Sequence, residues 1–199
     1  MRTATKRTDV YTFDELSESA KETAMQWYRE GAFDYEWWDF EDAKQIGKII
    51  GIDIDNIFFS GFSSQGDGAC FEGSYAYKIG SVKNLKEYAP LDKTLHQIAL
   101  DLSKAQRKRF YQLSANVKQS GHYMHEMCTD ITVFDHTDEF HTLHADAVSD
   151  DSITEPLRDF MRWIYKQLES EYDYLNSDKA VKESIEANEY EFDEYGNIY

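Results

Sequence analysis

Two runs of strand character, residues 52–62 and 69–79, are separated only by Ser63-Ser64-Gln65-Gly66-Asp67-Gly68. This spacing constrains the fold more than any other feature of the chain. Gly, Ser and Asp tolerate tight turns and positive φ, so the two runs read as neighbouring antiparallel strands. Two more runs follow. Tyr111, Leu113, Ala115 and Val117 alternate on one, Met127, Thr129, Ile131 and Val133 on the other, and Ser120-Gly121 supplies a turn between them.

Helical spacing dominates elsewhere. Thr12-Phe13-Asp14-Glu15 reads as a capping box that opens a first helix, with Tyr11 and Leu16 placed as a hydrophobic staple. Leu16, Ala20, Ala24, Trp27 and Tyr28 continue its apolar stripe, and Gly31 suits its end. A second helix is expected over 36–50, burying Trp37, Phe40, Ala43, Ile46 and Ile50. A third opens near Pro90 with Leu91, Leu95, Ile98, Ala99 and Leu102. Ser152 and Glu155 read as the capping box of the longest helix, followed by a short helix over 178–188 and a hairpin around Gly196-Asn197. Helices at both ends with paired strands between them predict an α+β fold: an antiparallel sheet of about four to five strands with helices mainly on one face. The expected division is a core domain over 1–150 and an acidic helical extension over 151–199 packed on it.

Charge then divides the chain. The formal charge is −17 over 199 residues. Residues 9–43 carry eleven acidic side chains against Lys21 and Arg29, and residues 168–199 carry ten against Lys179 and Lys182. Residues 83–118 reverse the sign, with eight basic and three acidic side chains. Aromatic content of 15% separates the chain from disordered acidic tails. With only Cys70 and Cys128, a disulfide framework is not expected. Met1 to Asp9 lacks the apolar run of a secretory signal, and no stretch is apolar enough for a membrane span. A protein of the bacterial cytoplasm is expected.

The segment Tyr11-Thr12-Phe13-Asp14-Glu15-Leu16-Ser17-Glu18 resembles the opening of a family of small phage and prophage proteins that carry an antitoxin-like label. Residues 59–73, from Phe59-Ser60-Gly61-Phe62 through Gln65-Gly66-Asp67-Gly68 to Phe71-Glu72-Gly73, are similar to that family's central motif. Gly121-His122-Tyr123-Met124-His125-Glu126 is similar to a third block. The resemblance implies a phage or mobile-element origin. It brings no functional residues with it.

The acidic ends are the first candidate sites. On a continuous helix Asp14, Glu18 and Glu22 share one face, about 6 Å apart per four residues, and Asp34, Glu36, Asp39, Glu41 and Asp42 extend the negative surface. Carboxylates in such a line can imitate phosphates in a nucleic-acid groove; a solvated helix face is the alternative. In the C-terminal region Glu169, Glu171 and Asp173 interleave with Tyr172 and Tyr174, a composition closer to a protein-binding surface than to a solvating tail. The competing reading packs those tyrosines back on the domain.

The remaining candidates have simpler readings. Ser64-Gln65-Gly66-Asp67-Gly68 lacks the Lys and following helix of a phosphate loop and reads as a hairpin turn. His122, His125, Cys128, His136, His141 and His144 match no standard zinc spacing, and His125 shares strand parity with core residues. Lys104, Arg107, Lys108 and Arg109 suit an ion pair with an acidic end better than nucleic-acid contact. With no nucleophile elbow, dinucleotide fingerprint or Cys-x-x-Cys pair, neither catalysis nor a cofactor is expected.

The sequence thus predicts a phage-encoded acidic interaction protein, with its oligomeric state left open and a homodimer as one option. It would inhibit a host defence nuclease complex by stoichiometric, DNA-mimic-like or anti-CRISPR binding. The expected partner is a basic nucleic-acid-binding protein; direct binding to nucleic acid or to a membrane is not expected. An antitoxin against a cognate toxin, or a small metal- or ligand-dependent enzyme, are the alternatives.

Overall fold

A computed structural model describes residues 9–32, 40–137, 146–148 and 151–199. The chain forms two compact units, one from Met1–Trp38 with Ser170–Tyr199 and one from Asp39–Glu169. This differs from the expected boundary at residue 150. The reason is in the pairing of the chain ends: Tyr11 N–H donates to the Phe192 carbonyl at 2.8 Å and Phe192 N–H donates to the Tyr11 carbonyl at 2.9 Å. The C-terminal residues therefore share a core with the N-terminal ones.

The central unit holds the sheet. Among the described residues it has five antiparallel strands in sequential order: β1 (Ile52–Phe59), β2 (Ala69–Ala76), β3 (Leu113–Gln119), β4 (Thr129–Asp135) and β5 (Asp146–Val148). Ile52, Tyr75, Ala115 and Val133 align across four strands, and Leu113 and Val117 fall on the same face. A bulge between Ile54 and Asn56 adds one residue to β1, which brings Ile57 opposite Phe71. Asp53, Ser74, Asn116 and Thr132 line the opposite face and are exposed. Alternation of this kind leaves one face for helices and one for water.

Helices occupy the apolar face. After α1 (Glu18–Trp27) of the other unit, the central unit contributes α2 (Glu41–Ile50), α3 (Ser81–Tyr88), α4 (Lys93–Lys108) and the first part of α5 (Asp151–Leu175). The buried stripe Ile153, Leu157, Phe160, Ile164 and Leu168 of α5 faces the sheet, with the Phe160 ring edge-on to Phe71 at 6.1 Å. Asp92 couples two helices. One carboxylate oxygen caps α4 by accepting from Leu95 N–H at 2.9 Å, and the other accepts from Trp163 Nε1 at 2.7 Å. Cap and cross-link together place α4 beside α5. The fold is α+β, and no helix among the described residues is long and apolar enough to cross a membrane.

The terminal unit is helical. Its α1 (Glu18–Trp27) continues into a π-helical turn, Tyr28–Ala32, which contains Gly31, and its α6 spans Asp178–Ala187. Phe13, Leu16, Ala24, Val181, Ile185 and Phe192 form its core. Trp27 packs edge-on against Tyr190 and Phe192, at 5.2 and 6.0 Å. Arg29 donates to the Asn176 carbonyl at 3.0 Å and pairs with Asp178 at 2.5 Å, fixing the start of α6. A Cβ at Gly196, whose φ is +86°, would lie 2.0 Å from the Ala20 carbonyl oxygen, so only glycine lets the last turn approach α1.

Several expected boundaries move. The Thr12–Glu15 capping box is present, but it caps a 3-10 turn, Phe13–Glu15, after which Leu16 is extended and Ser17 caps α1 separately. Phe40 flanks α2 at its start, and Trp37 lies outside the described residues. Leu91 is 91% exposed because α4 begins two residues later, after the Asp92 cap. Ser152 lies inside α5, which has begun by Asp151.

Candidate functional site

Local capping decides where the acidic side chains point. With Leu16 extended and Ser17 Oγ accepting from Ala20 N–H at 3.3 Å, Asp14 belongs to a different element from Glu18 and Glu22. The expected three-carboxylate line on one helix is therefore a pair on α1 plus Asp14 on the preceding turn. Asp14 faces Lys182 of α6 at 3.3 Å, and Lys182 also pairs with Glu186 at 3.2 Å. Hydrogen bonds from the ammonium to Glu186 and Asp14 hold the Lys182 pKa above the usual lysine range. Its Nζ lies 5.9 Å from the centre of the Phe13 ring.

Around this lysine the two acidic ends of the chain meet. Asp14, Glu186, Glu189 and Glu191 border a groove of about 360 Å³ that also includes Phe13, Ile185 and Tyr190. Across the whole terminal unit, 17 acidic side chains face seven basic ones. Both chain ends thus supply one strongly anionic unit.

The C-terminal candidates separate by exposure. Glu171 and Asp173 are exposed near the end of α5, Tyr174 is 59% exposed, and Tyr172 is half-buried. Tyr190 is half-buried against Trp27, whereas Tyr195 and Tyr199 are exposed. The interleaved tyrosines therefore divide between packing and display. Glu169 is the last residue of the central unit. Asp42 also belongs to that unit, where it accepts a hydrogen bond from the Tyr88 hydroxyl at 2.6 Å. Asp42 thus belongs to α2 of the central unit and not to α1. Asp34, Glu36 and Asp39 lie outside the described residues.

The glycine-rich joint and the histidine block, separate in the sequence, form one assembly in the central unit. Asp67 closes the first loop by accepting from Ser63 N–H at 3.0 Å and Ser64 N–H at 2.6 Å. A Cβ on Gly68 would lie 2.8 Å from His125 Cδ2, so glycine is what allows the two loops to touch. His125 is not a strand residue: it caps the 3-10 turn Glu126–Cys128, its Nδ1 accepting from Met127 N–H at 3.1 Å. The buried Glu126 carboxylate accepts from Arg162 Nε at 2.8 Å, and the Tyr165 hydroxyl donates to the Gly61 carbonyl at 3.1 Å. The polar groups named here are spent within their own loops or on Arg162 and Tyr165 of α5. The hairpin reading of the joint fits that geometry.

Cys70, buried on β2, has its thiol pKa pushed up by burial, which disfavours the reactive thiolate. Among the described residues no group of three His, Cys, Asp or Glu side chains is arranged to hold a metal ion. His141 and His144 lie outside those residues. Sequence reading did not foresee how the two loops meet, although Gly68 directly before an alternating strand is a sign of close backbone approach.

No curated protein and no solved structure matches the chain. A family model described as a domain of unknown function, DUF8835, matches residues 37–178, which take in the whole central unit and leave Asp14, Glu18 and Glu22 outside the match. Since that span covers well over half of its length, the chain belongs to the DUF8835 family.

Proposed function

We propose that this chain is a phage-encoded acidic interaction protein of the bacterial cytoplasm that inhibits a host defence complex acting on nucleic acid, and that its terminal unit makes the contact. The observation that carries this reading is the convergence of both acidic ends on one compact unit, with 17 carboxylates against seven cationic side chains. Glu18 and Glu22 on α1, with Glu171 and Asp173 on α5, present carboxylates fixed by helices, and Tyr174 adds an exposed aromatic beside them. Such a surface suits a groove of Lys and Arg that otherwise holds phosphates. Occupying it stoichiometrically would exclude the nucleic acid without any chemical step. Complementary charge accelerates association and makes it salt-sensitive.

The test is capture of partners from a bacterial host lysate at low and high salt, with two charge-neutralised proteins as comparators. One carries Glu18→Gln with Glu22→Gln, the other Glu171→Gln with Asp173→Asn. The reading expects a nucleic-acid-binding partner that salt releases, that at least one comparator fails to retain, and that nucleic acid displaces competitively. A partner held equally by all three proteins in high salt would overturn it.

A further inference from the structure

The turn between α4 and β3 displays an aromatic side chain at the end of the basic cluster. Phe110 is 78% exposed and directly follows Arg107, Lys108 and Arg109. Phe110 and Tyr111 both adopt positive φ, +51° and +64°, a conformation that is strained for non-glycine residues.

What holds them there is Gln106, which is fully buried. Its carbonyl accepts from Arg109 N–H at 3.0 Å and Tyr111 N–H at 2.8 Å. Its side chain accepts from Leu113 N–H at 3.1 Å, donates to the Leu113 carbonyl at 2.7 Å and donates to the Tyr75 hydroxyl at 3.3 Å. An internal clamp therefore supports a bulky apolar group that gains no burial.

The surroundings extend the display. The Tyr111 ring packs on Tyr77 at a tilt of 34°, with ring centroids 4.4 Å apart. Tyr77 in turn borders an open groove of about 610 Å³ between α3 and α4, lined also by Ser81, Lys83, Lys86, Glu87 and Ser103. Ser103 and Arg107 are one turn apart on α4, so the groove leads toward the basic turn. Glu87 is 3.8 Å from Lys83, Lys104 pairs with Asp101 and Arg109 lies 3.6 Å from Asp135. Among the described residues Lys86, Arg107 and Lys108 have no acidic partner.

We infer that this groove and turn bind single-stranded nucleic acid. Unpaired Lys and Arg side chains would follow the phosphates, and Phe110 with the Tyr77–Tyr111 pair would offer faces on which bases stack. A cationic groove beside exposed rings is the arrangement by which single strands are held without reading sequence. The net negative charge does not prevent this at physiological ionic strength, where screening acts over about 8 Å and local charge decides. An acidic protein surface is the competing occupant, but it would complement the cations without using the ring faces. The inference concerns the central unit and stands apart from the function proposed for the terminal one.

Fluorescence anisotropy with labelled twelve-residue oligothymidylate and oligouridylate tests it, the two probes distinguishing DNA from RNA as the source. Binding of either probe is expected. Contact with three phosphates, at a slope of about −0.7 per phosphate, weakens affinity about 20-fold between 50 and 200 mM salt. Phe110→Ala should cost about tenfold, and its exposed position keeps the fold intact, which circular dichroism verifies. Arg107→Gln should weaken binding severalfold more than Lys179→Gln, an equal charge change in the terminal unit. No binding of either probe at 50 mM salt, or binding indifferent to Phe110→Ala and Arg107→Gln, overturns the inference. It is equally overturned if sedimentation shows that Phe110→Ala abolishes self-association while leaving oligonucleotide affinity unchanged.

Discussion

The two units solve the problem of folding an acidic chain in different ways. The central unit covers a sheet with helices, and residues far apart in sequence contribute to one core from four aligned strands. Its acids are partly offset: 14 basic side chains face 21 acidic ones in 131 residues. The terminal unit has 68 residues and a net charge of −10, and among its described residues there is no strand beyond single bridges. Its core rests on a few aromatic contacts and two backbone hydrogen bonds between chain ends. A small core under strong self-repulsion is the less stable arrangement. The difference teaches that anionic surface is concentrated where burial is scarcest.

The largest expected effect tests that asymmetry directly. Phe192 is fully buried and joins Trp27 to the pairing with Tyr11. Phe192→Ala should cost about 3–5 kcal/mol and unfold the terminal unit while leaving the central one intact. Hydrogen exchange would read this as lost protection over α1 and α6 with β1–β4 still protected. Loss of protection in the strands at the same time would show one cooperative unit and break the comparison.

A smaller effect belongs to the central unit. Gln106→Leu removes the partners of the Leu113 amide and carbonyl in a buried setting, at about 1–3 kcal/mol for each group left unsatisfied. Urea unfolding followed at Trp163, which is 7% exposed in the central unit, should shift to a lower midpoint. Exchange protection of α6 should stay unchanged. A matching loss there would again tie the two units together.

Much of the central unit was legible because its signals are local. Alternation at Leu113, Ala115 and Val117, and turn residues between the first two strands, mark a sheet without any knowledge of contacts. Two elements carried too little pattern. In α3 only Ser81 and Leu85 are buried, and β5 is three residues long. The acidic character of the candidate site was equally legible, since charge is read from composition. Its geometry was not. Thr12-Glu15 and Ser17 are competing start signals a few residues apart, and the chain uses both, which removes Asp14 from the helix of Glu18. Nor could the meeting of Asp14 with Lys182 be inferred, because it depends on tertiary pairing across almost the whole sequence.

Acid titration gives a finer distinction. In the terminal unit the Asp193 carboxyl is held below the usual range by hydrogen bonds from the Asn197 side chain and backbone, and Glu15 by the Thr12 backbone. A lowered folded pKa contributes stability above the unfolded value of about 4, and that contribution is lost as pH falls through the folded value. Protonation of the other carboxylates relieves repulsion over the same range, so the two effects oppose each other. Asp193→Asn should therefore remove part of the acid-induced loss, so that α1 and α6 lose less protection in hydrogen exchange below about pH 4. An unchanged acid profile would assign the whole acid response to repulsion.

The smallest expected change in stability comes from the most exposed carboxylate considered. The Glu18 side chain is 91% exposed and pairs with Lys21 at 3.1 Å, an arrangement in which solvent and salt leave little net stabilisation. Glu18→Gln should leave the thermal midpoint within the scatter of repeated measurements. Combined with Glu22→Gln it should still weaken capture of a basic partner. Recognition and stability would then be carried by different residues of the same unit, which is what a surface maintained for binding requires. A clear stability gain on neutralisation, with capture unchanged, would instead make this charge a simple liability of the terminal unit.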